Sequence, residues 1–130
     1  MKLGLLALCE GAFNHNGHLT IVNTLDFFNV QDFPYKVSQL GLAVKIHLTP
    51  EDAGEHQFKI LCQDPLQKNI VEIETPKLNN DIQEDGVFCI TTNLNGFLFA
   101  QPGDYRFIVL ADNNPLGEQV IKVKAKNDHE

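Results

Sequence analysis

Residues 98–112, L-F-A-Q-P-G-D-Y-R-F-I-V-L-A-D, constrain the fold more than any other part of the chain. Pro102 presets φ for the first central position of a tight turn, and Gly103 can take the positive φ that a type II turn needs next. Tyr105 then begins a run in which apolar and polar residues alternate, which is typical of a strand with one buried face. The segment therefore predicts a turn at Pro102 and Gly103 followed by a half-buried strand.

A tyrosine directly after such a turn, at the start of a late strand, resembles the tyrosine corner of immunoglobulin-like sandwiches. We therefore give Pro102, Gly103 and Tyr105 a structural role. A buried phenol needs a hydrogen-bond partner, so we expect the Tyr105 hydroxyl to bond to the backbone of residues 98–101. In antibody domains a cysteine follows this tyrosine by two positions, but Phe107 stands there in this chain. We expect no antibody-type disulfide.

Length and strand spacing predict the fold class. The chain has 130 residues, 43% of them hydrophobic and 21% charged, and no low-complexity linker divides it. Residues 1–130 are therefore expected to form a single domain. Short alternating runs separated by turn residues recur along the whole chain. They predict an all-β fold, an immunoglobulin-like antiparallel β-sandwich of about seven to nine strands.

Two alternating runs flank the turn-forming residues 50–54. Residues 42–48 alternate around Lys45 and His47, and Phe58, Ile60 and Cys62 share one face of the following run. This pattern predicts a hairpin with a five-residue loop, in which His47 and His56 meet on the polar face. The short run 71–74 predicts an edge strand limited by Pro76, and the run 120–125 predicts a final edge strand.

Charge and hydropathy exclude several partners. The formal net charge is −7, so phosphate backbones and anionic lipid surfaces are repelled on average. No segment approaches the roughly 18 apolar residues of a membrane span. The apolar run at residues 3–8 is short for a signal peptide, and Leu8 precedes Cys9 where a small residue is expected. We expect a first strand there, no nucleic acid and no membrane.

The three cysteines, Cys9, Cys62 and Cys89, are an odd number at scattered positions. This usage fits a reducing compartment better than a disulfide framework. We expect all three thiols to be unpaired and the protein to be cytoplasmic.

No catalytic or metal-binding pattern stands out. His15 and His18 supply two ligands where zinc needs three or four, and the acidic loop 81–85 lacks the EF-hand ligand pattern. Cation binding by the His15/His18 turn, or by the loop with Asp81, Glu84 and Asp85, stays open. Ser38 is the only serine and has no G-x-S-x-G around it. We expect no enzyme, no metal and no cofactor.

Aromatic residues crowd only one segment that also carries turn residues, D-F-F-N-V-Q-D-F-P-Y at residues 26–35. Adjacent strand residues point to opposite faces, so if Phe27 continues the core pattern of Leu19, Ile21 and Leu25, Phe28 points away. One interpretation is that these rings close the open end of the sandwich. The other is that Phe28, Phe33 and Tyr35 form an exposed apolar patch that binds a partner.

The sequence also resembles a family of small uncharacterised bacterial proteins. The resemblance rests on the opening M-K-L-G-L-L-A-L-C-E, on D-F-P with L-G-L-A-V-K-I-H-L-T-P-E-D-A-G-E-H, and on L-F-A-Q-P-G-D-Y-R-F. It extends over nearly the whole chain and implies a bacterial source and a stand-alone domain. It implies no catalytic or binding residues.

These observations favour a non-catalytic, cytoplasmic protein-interaction or scaffold module. The expected partner is another protein or a second copy, as in a homodimer. The alternative is a module that binds a small ligand or a carbohydrate. Sugar binding usually uses exposed aromatic rings, but the chain has no Trp, and Tyr35 and Tyr105 are its only tyrosines.

Overall fold

The computed structural model describes residues 1–81 and 83–126, and the strands dominate it. One 3₁₀ turn, Pro50–Asp52, connects β4 to β5. In chain order the strands are β1 (Lys2–His15), β2 (His18–Thr24), β3 (Phe27–Val30), β4 (Tyr35–Leu48), β5 (Gly54–His56), β6 (Phe58–Gln63), β7 (Asn69–Glu74), β8 (Leu78–Asn80), β9 (Gly86–Phe99), β10 (Gly103–Ala111) and β11 (Asn114–Ala125). Within residues 1–81 and 83–126, no helix has the length and apolar character needed to cross a membrane.

The strands form two main sheets, which confirms the predicted all-β fold and is consistent with a β-sandwich. Sheet 1 has the order β2-β1-β4-β9, sheet 2 has the order β3-β11-β10-β6-β7, and β5 pairs with β8 in a minor sheet. The eleven described strands exceed the expected seven to nine. The pairing is also not purely antiparallel, because β3 runs parallel to β11.

The core lies between the two main sheets, because alternate side chains of their central strands face each other. Its largest fully buried members include Leu40, Leu42, Val44 and Ile46 from β4, and Tyr105, Phe107 and Val109 from β10. Phe97 and Phe99 of β9 add edge-on ring contacts, with centroids 4.9 Å apart.

The tyrosine corner is present as predicted. The Tyr105 side chain is buried, and its hydroxyl donates to the Gln101 carbonyl at 2.7 Å. The same oxygen accepts from the Gln101 N–H at 3.3 Å. Gly103 has a φ of +136°, and a Cβ there would lie 2.6 Å from the Pro65 ring. Glycine is therefore required by the backbone and by its neighbour.

The predicted hairpin around residues 50–54 is wrong. β4 lies between β1 and β9 in sheet 1, whereas β6 lies between β10 and β7 in sheet 2. The Thr49 N–H donates to the Asp52 carboxylate at 2.9 Å, which closes the 3₁₀ turn. The chain therefore crosses from one sheet to the other there, and His47 and His56 do not meet: His47 pairs with β1 and β9, and His56 bonds to Asp112.

Two further expectations at the edges of sheet 2 need correction, and one is confirmed. Phe27 does not continue the core pattern, because the strand breaks after Thr24. Phe27 is 62% exposed, and Phe28 packs against the core instead. β11 is not an edge strand, since β3 covers it. β7 is an edge strand, as predicted.

The β1–β2 hairpin curls over the outer face of sheet 1. Ala12 N–H donates to Asn93 Oδ1 at 2.9 Å, and Asn93 Nδ2 donates to the Ala12 carbonyl at 3.0 Å. Cys9 and Ala43 are fully buried beneath the hairpin, in a small second cluster with Ala12. The outer face of β4, which would otherwise meet solvent, is therefore covered there.

Candidate functional site

β9 has the longest free strand edge of the two main sheets, on the side that faces away from β4. β9 pairs with β4 from Gly86 opposite Leu48 to Phe99 opposite Tyr35. Among the residues that the structure describes, no strand pairs with the other side of β9. β9 has 14 residues, against 7, 4 and 6 for the edge strands β2, β3 and β7.

The sequence of β9, G-V-F-C-I-T-T-N-L-N-G-F-L-F, has no charged residue and no proline. Natural sheets usually protect a free edge by shortening it or by placing charges or proline on it, since open backbone N–H and C=O groups pair readily with another strand. β3 is short, and β7 carries Glu72 and Glu74, which both pair with Lys59. β9 has neither protection.

Charged side chains do lie at the two ends of this edge. Glu84 and Asp85 are exposed just before β9 begins. At the other end, Gly96 has a φ of +69°, and a Cβ there would lie 3.0 Å from Lys36 Cε. The regular, uncharged part of the edge is thus residues 87–95, with acidic groups at one end and a lysine at the other.

An apolar cleft adjoins the edge, between β9 and the edge strand β7 of sheet 2. Its volume is about 330 Å³, and it is lined by Ile70, Val71, Leu94, Asn95, Gly96, Phe97 and Leu98. Ile70 and Leu98 are 42% and 48% exposed, and Val87 on the same strand is 53% exposed. Exposed apolar side chains next to open backbone groups are typical of a surface that binds protein.

The aromatic residues predicted to bind a partner lie at the end of the sandwich. Phe28, Phe33 and Tyr35 are each half-buried and pack against the core. The Phe28 ring lies 5.3 Å from the Phe99 ring and 5.8 Å from the Tyr35 ring. This packing agrees with rings that close the end of the sandwich. A role in partner binding stays a prediction for these three residues.

A cleft of about 530 Å³ opens beside two of these rings. It is lined by Glu10, Leu25, Phe28, Tyr35, Val37, Ser38 and Gln39. The volume is within the range of small-molecule sites, and the lining combines apolar side chains with a few polar groups. Gln39 is held by a hydrogen bond from its Nε2 to the Glu10 carbonyl at 3.0 Å.

His56 forms a bridge between two connections of the chain. Its Nδ1 lies 2.7 Å from Asp112 Oδ2, and its Nε2 lies 2.6 Å from the Asp52 carbonyl oxygen. Both partners are acceptors, so the two hydrogen bonds form together only when both ring nitrogens carry protons, that is, when His56 is an imidazolium ion. The hydrogen bond to Asp112 raises the pKa of His56 and lowers the pKa of that carboxyl. With both nitrogens occupied, His56 is not free to act as a general base.

The structure describes one of the two places left open for a cation in full and the other in part. His15 and His18 face each other as the last pair of the β1–β2 hairpin, and both are exposed. In the acidic loop 81–85, residue 82 lies outside the described residues. Among the side chains that the structure does describe, no three His, Cys, Asp or Glu residues cluster as metal ligands.

The three cysteines are unpaired, as expected. Cys9 and Cys62 are buried and Cys89 is half-buried. Burial raises the pKa of Cys9 and raises the pKa of Cys62 to about 12. Neither buried thiol is therefore an ionised nucleophile near neutral pH.

The β9 edge was missed at the level of sequence, although its signal is visible there. Residues 86–99 are 14 consecutive positions without a charged residue or proline. Alternation predicts such a strand but does not show how many neighbours it has. The exposed edge appears only when the strand order places β4 on one side of β9.

Comparison with known proteins agrees with the resemblance seen in the sequence. A search of curated proteins finds no match to the chain. A family model described as a family of unknown function (DUF6941) matches residues 4–124. This match covers every strand of both main sheets except the first two residues of β1 and the last residue of β11. The chain therefore belongs to this family of unknown function.

Proposed function

We propose that this protein is a non-catalytic protein-interaction module that accepts a β-strand along the free edge of β9. The observation that carries the proposal is the 14-residue edge without charge or proline. In strand addition, the open backbone groups of an edge bind the incoming strand, and pockets beside the edge select its side chains. The apolar cleft lined by Ile70 and Leu98 is such a pocket beside the β9 edge.

The side chains with catalytic potential support a non-catalytic role. Both nitrogens of His56 are bonded, and the Cys9 and Cys62 thiols are buried with raised pKa values. The formal charge of −7 argues against a nucleic acid or an anionic membrane as the partner. Three unpaired thiols and the family resemblance support a cytoplasmic protein of bacterial origin.

Strand acceptance is tested with a peptide that carries residues 87–95 between added lysines. Hydrogen exchange is measured on the protein diluted until light scattering gives the mass of a single chain, so that the β9 edge is free, with this peptide and with a scrambled peptide of the same composition. We expect amides of β9 to gain protection with the first peptide and not with the second. Exchange of β9 that the peptide leaves unchanged would contradict the proposed function.

A pair of lysine variants gives the matched control. Val87→Lys with Asn95→Lys places charges at two exposed positions of β9, and Asn29→Lys places one on the exposed edge strand β3. We expect the β9 variant to lose the peptide and the β3 variant to bind it as the unchanged protein does. Equal loss in both variants would point to general charge effects and not to the edge.

Binding of a small ligand is the second candidate, favoured by the cleft of about 530 Å³ beside Phe28 and Tyr35. Stacking on the partly exposed Tyr35 ring would supply most of the contact area. NMR titration with indole and with methyl glucoside tests it. Saturable shifts at Phe28 and Tyr35 that Tyr35→Ala removes would support this function, and unshifted resonances would contradict it.

A further inference from the structure

We infer that the strand bound along β9 is β9 of a second copy, paired antiparallel with Thr91 at the two-fold axis. This inference rests on the proposed function, because it names the partner of the same edge. It predicts a homodimer in which the two copies of sheet 1 join into one continuous sheet. The strand order would become β2-β1-β4-β9 followed by the same strands of the second copy in reverse.

Charge favours a second copy at this edge and disfavours it elsewhere. A chain with a formal net charge of −7 repels its own copies on average. β9 itself is uncharged, so two β9 strands approach without like charges directly opposite each other. The edge strand β7 exposes Glu72 and Glu74, which would face the same carboxylates in a self-pairing there.

The ends of the edge determine the direction of the pairing. Glu84 and Asp85 precede Val87, and the side chain of Lys36, from the paired strand β4, lies over Gly96 at the far end, with its Nζ 3.7 Å from where a Cβ of residue 96 would be. In an antiparallel pair, the acidic end of each copy lies beside the lysine end of the other. In a parallel pair, the acidic ends would meet each other, and the lysines would do the same. Complementary charge therefore selects the antiparallel arrangement.

The register follows from the length of the regular edge. The positive φ of Gly96 disturbs the regular extended backbone of β9 towards one end, and β9 begins at Gly86 at the other. Residues 87–95 lie between these limits, and Thr91 is their midpoint. Val87 of one copy then faces Asn95 of the other, twice in the dimer. Both residues are exposed in the single chain, so substitution at either position leaves the core intact.

Light scattering coupled to size-exclusion chromatography tests the dimer and its register. We expect the unchanged protein to have twice the 14.6 kDa mass of one chain. Val87→Lys with Asn95→Lys places lysine opposite lysine at both pairs and should weaken the dimer about tenfold or more. Val87→Lys with Asn95→Glu places lysine opposite glutamate at both pairs and should restore it. Circular dichroism checks that each variant is folded.

The outcomes separate this inference from the proposed function. An unchanged protein that stays monomeric at about 0.5 mM would overturn the inference. If this monomeric protein also binds the peptide of residues 87–95, the proposed strand binding at β9 is supported, and only the identity of the partner as a second copy is wrong. A dimer that Val87→Lys with Asn95→Glu does not restore would overturn the antiparallel register. A dimer unaffected by the two lysines would show that the copies meet elsewhere.

Discussion

The carboxamide of Asn93 on β9 passes over Gly41 on β4 and forms two hydrogen bonds with the backbone of Ala12 on β1. Asn93 and Gly41 are direct partners across the two strands. A Cβ at Gly41 would lie 3.0 Å from Asn93 Oδ1 and 2.9 Å from Cys9 Sγ. The side chain can therefore reach β1 only because position 41 has none. This pairing holds the β1–β2 hairpin against the outer face of sheet 1.

Asn93→Ala is expected to lower the free energy of unfolding by about 2 kcal/mol, because it leaves the part-buried N–H and C=O of Ala12 without partners. Urea denaturation measures the loss. The control is Asn95→Ala, the next position on the same face of β9, which is exposed and should change stability by less than about 0.5 kcal/mol. Equal effects of the two substitutions would contradict the role of Asn93.

Tyr105→Phe is expected to cost roughly 1 to 3 kcal/mol of stability. It removes the hydroxyl that donates to the Gln101 carbonyl at 2.7 Å and leaves the corner backbone unsatisfied. Tyr35→Phe is the matched change on the other tyrosine, whose hydroxyl has no hydrogen bond to the residues that the structure describes. We expect a small effect there. A urea midpoint unchanged by Tyr105→Phe would contradict the corner's contribution.

The His56 bridge is expected to make stability depend on pH. The pKa of His56 is raised by Asp112, so its contribution is complete below about pH 6.5 and is lost as the pH rises through the folded value. The pKa of Asp112 is lowered, so its contribution is complete above about pH 4 and is lost as the pH falls through the folded value. Both contributions are present between these limits.

The measurement compares His56→Gln with the unchanged protein at about pH 5.5 and about pH 8.5, which lie below and above the ordinary pKa of histidine. We expect the substitution to cost more stability at the lower pH. Asp112→Asn removes the same bridge from its other side, so the double variant should show no additional pH dependence. A cost that is the same at both pH values would contradict an imidazolium bridge.

The thiols should react in an order set by burial. Cys89 is half-buried, whereas Cys9 and Cys62 are buried with raised pKa values. Iodoacetamide should therefore modify Cys89 first in the folded protein and the other two only on unfolding. Mass spectrometry of proteolytic peptides measures the order in which the three thiols are modified. Titration of the denatured, unreduced protein should give three equivalents, and one equivalent would reveal a disulfide.

Local pattern was sufficient for the features that depend on neighbouring residues. The alternation after Tyr105 and the turn at Pro102 predicted β10 and its corner, because the hydroxyl bonds only four residues upstream. The short run 71–74 and the proline after it likewise predicted β7 as an edge strand of the sheet. In each case the physical cause lies within a short stretch of chain.

Features that join distant residues could not be predicted in this way. Asn93 and Ala12 are 81 positions apart, and His56 and Asp112 are 56 positions apart. Alternation indicates that a strand exists but not which strand lies beside it. The hairpin expected around residues 50–54 failed for this reason, since the 3₁₀ turn there joins two sheets.

The parallel pairing of β3 with β11 has a consequence for synthesis on the ribosome. Residues 27–30 of β3 pair with residues 122–125 of β11. A segment that is synthesised early can therefore join sheet 2 only after one of the last segments has been synthesised. Because a nascent chain emerges in sequence order, sheet 1 can assemble as soon as β9 is available, while the backbone of β3 still lacks the strand it pairs with. Sheet 2 therefore closes last, and a chain cut short before β11 would present that unpaired segment to chaperones.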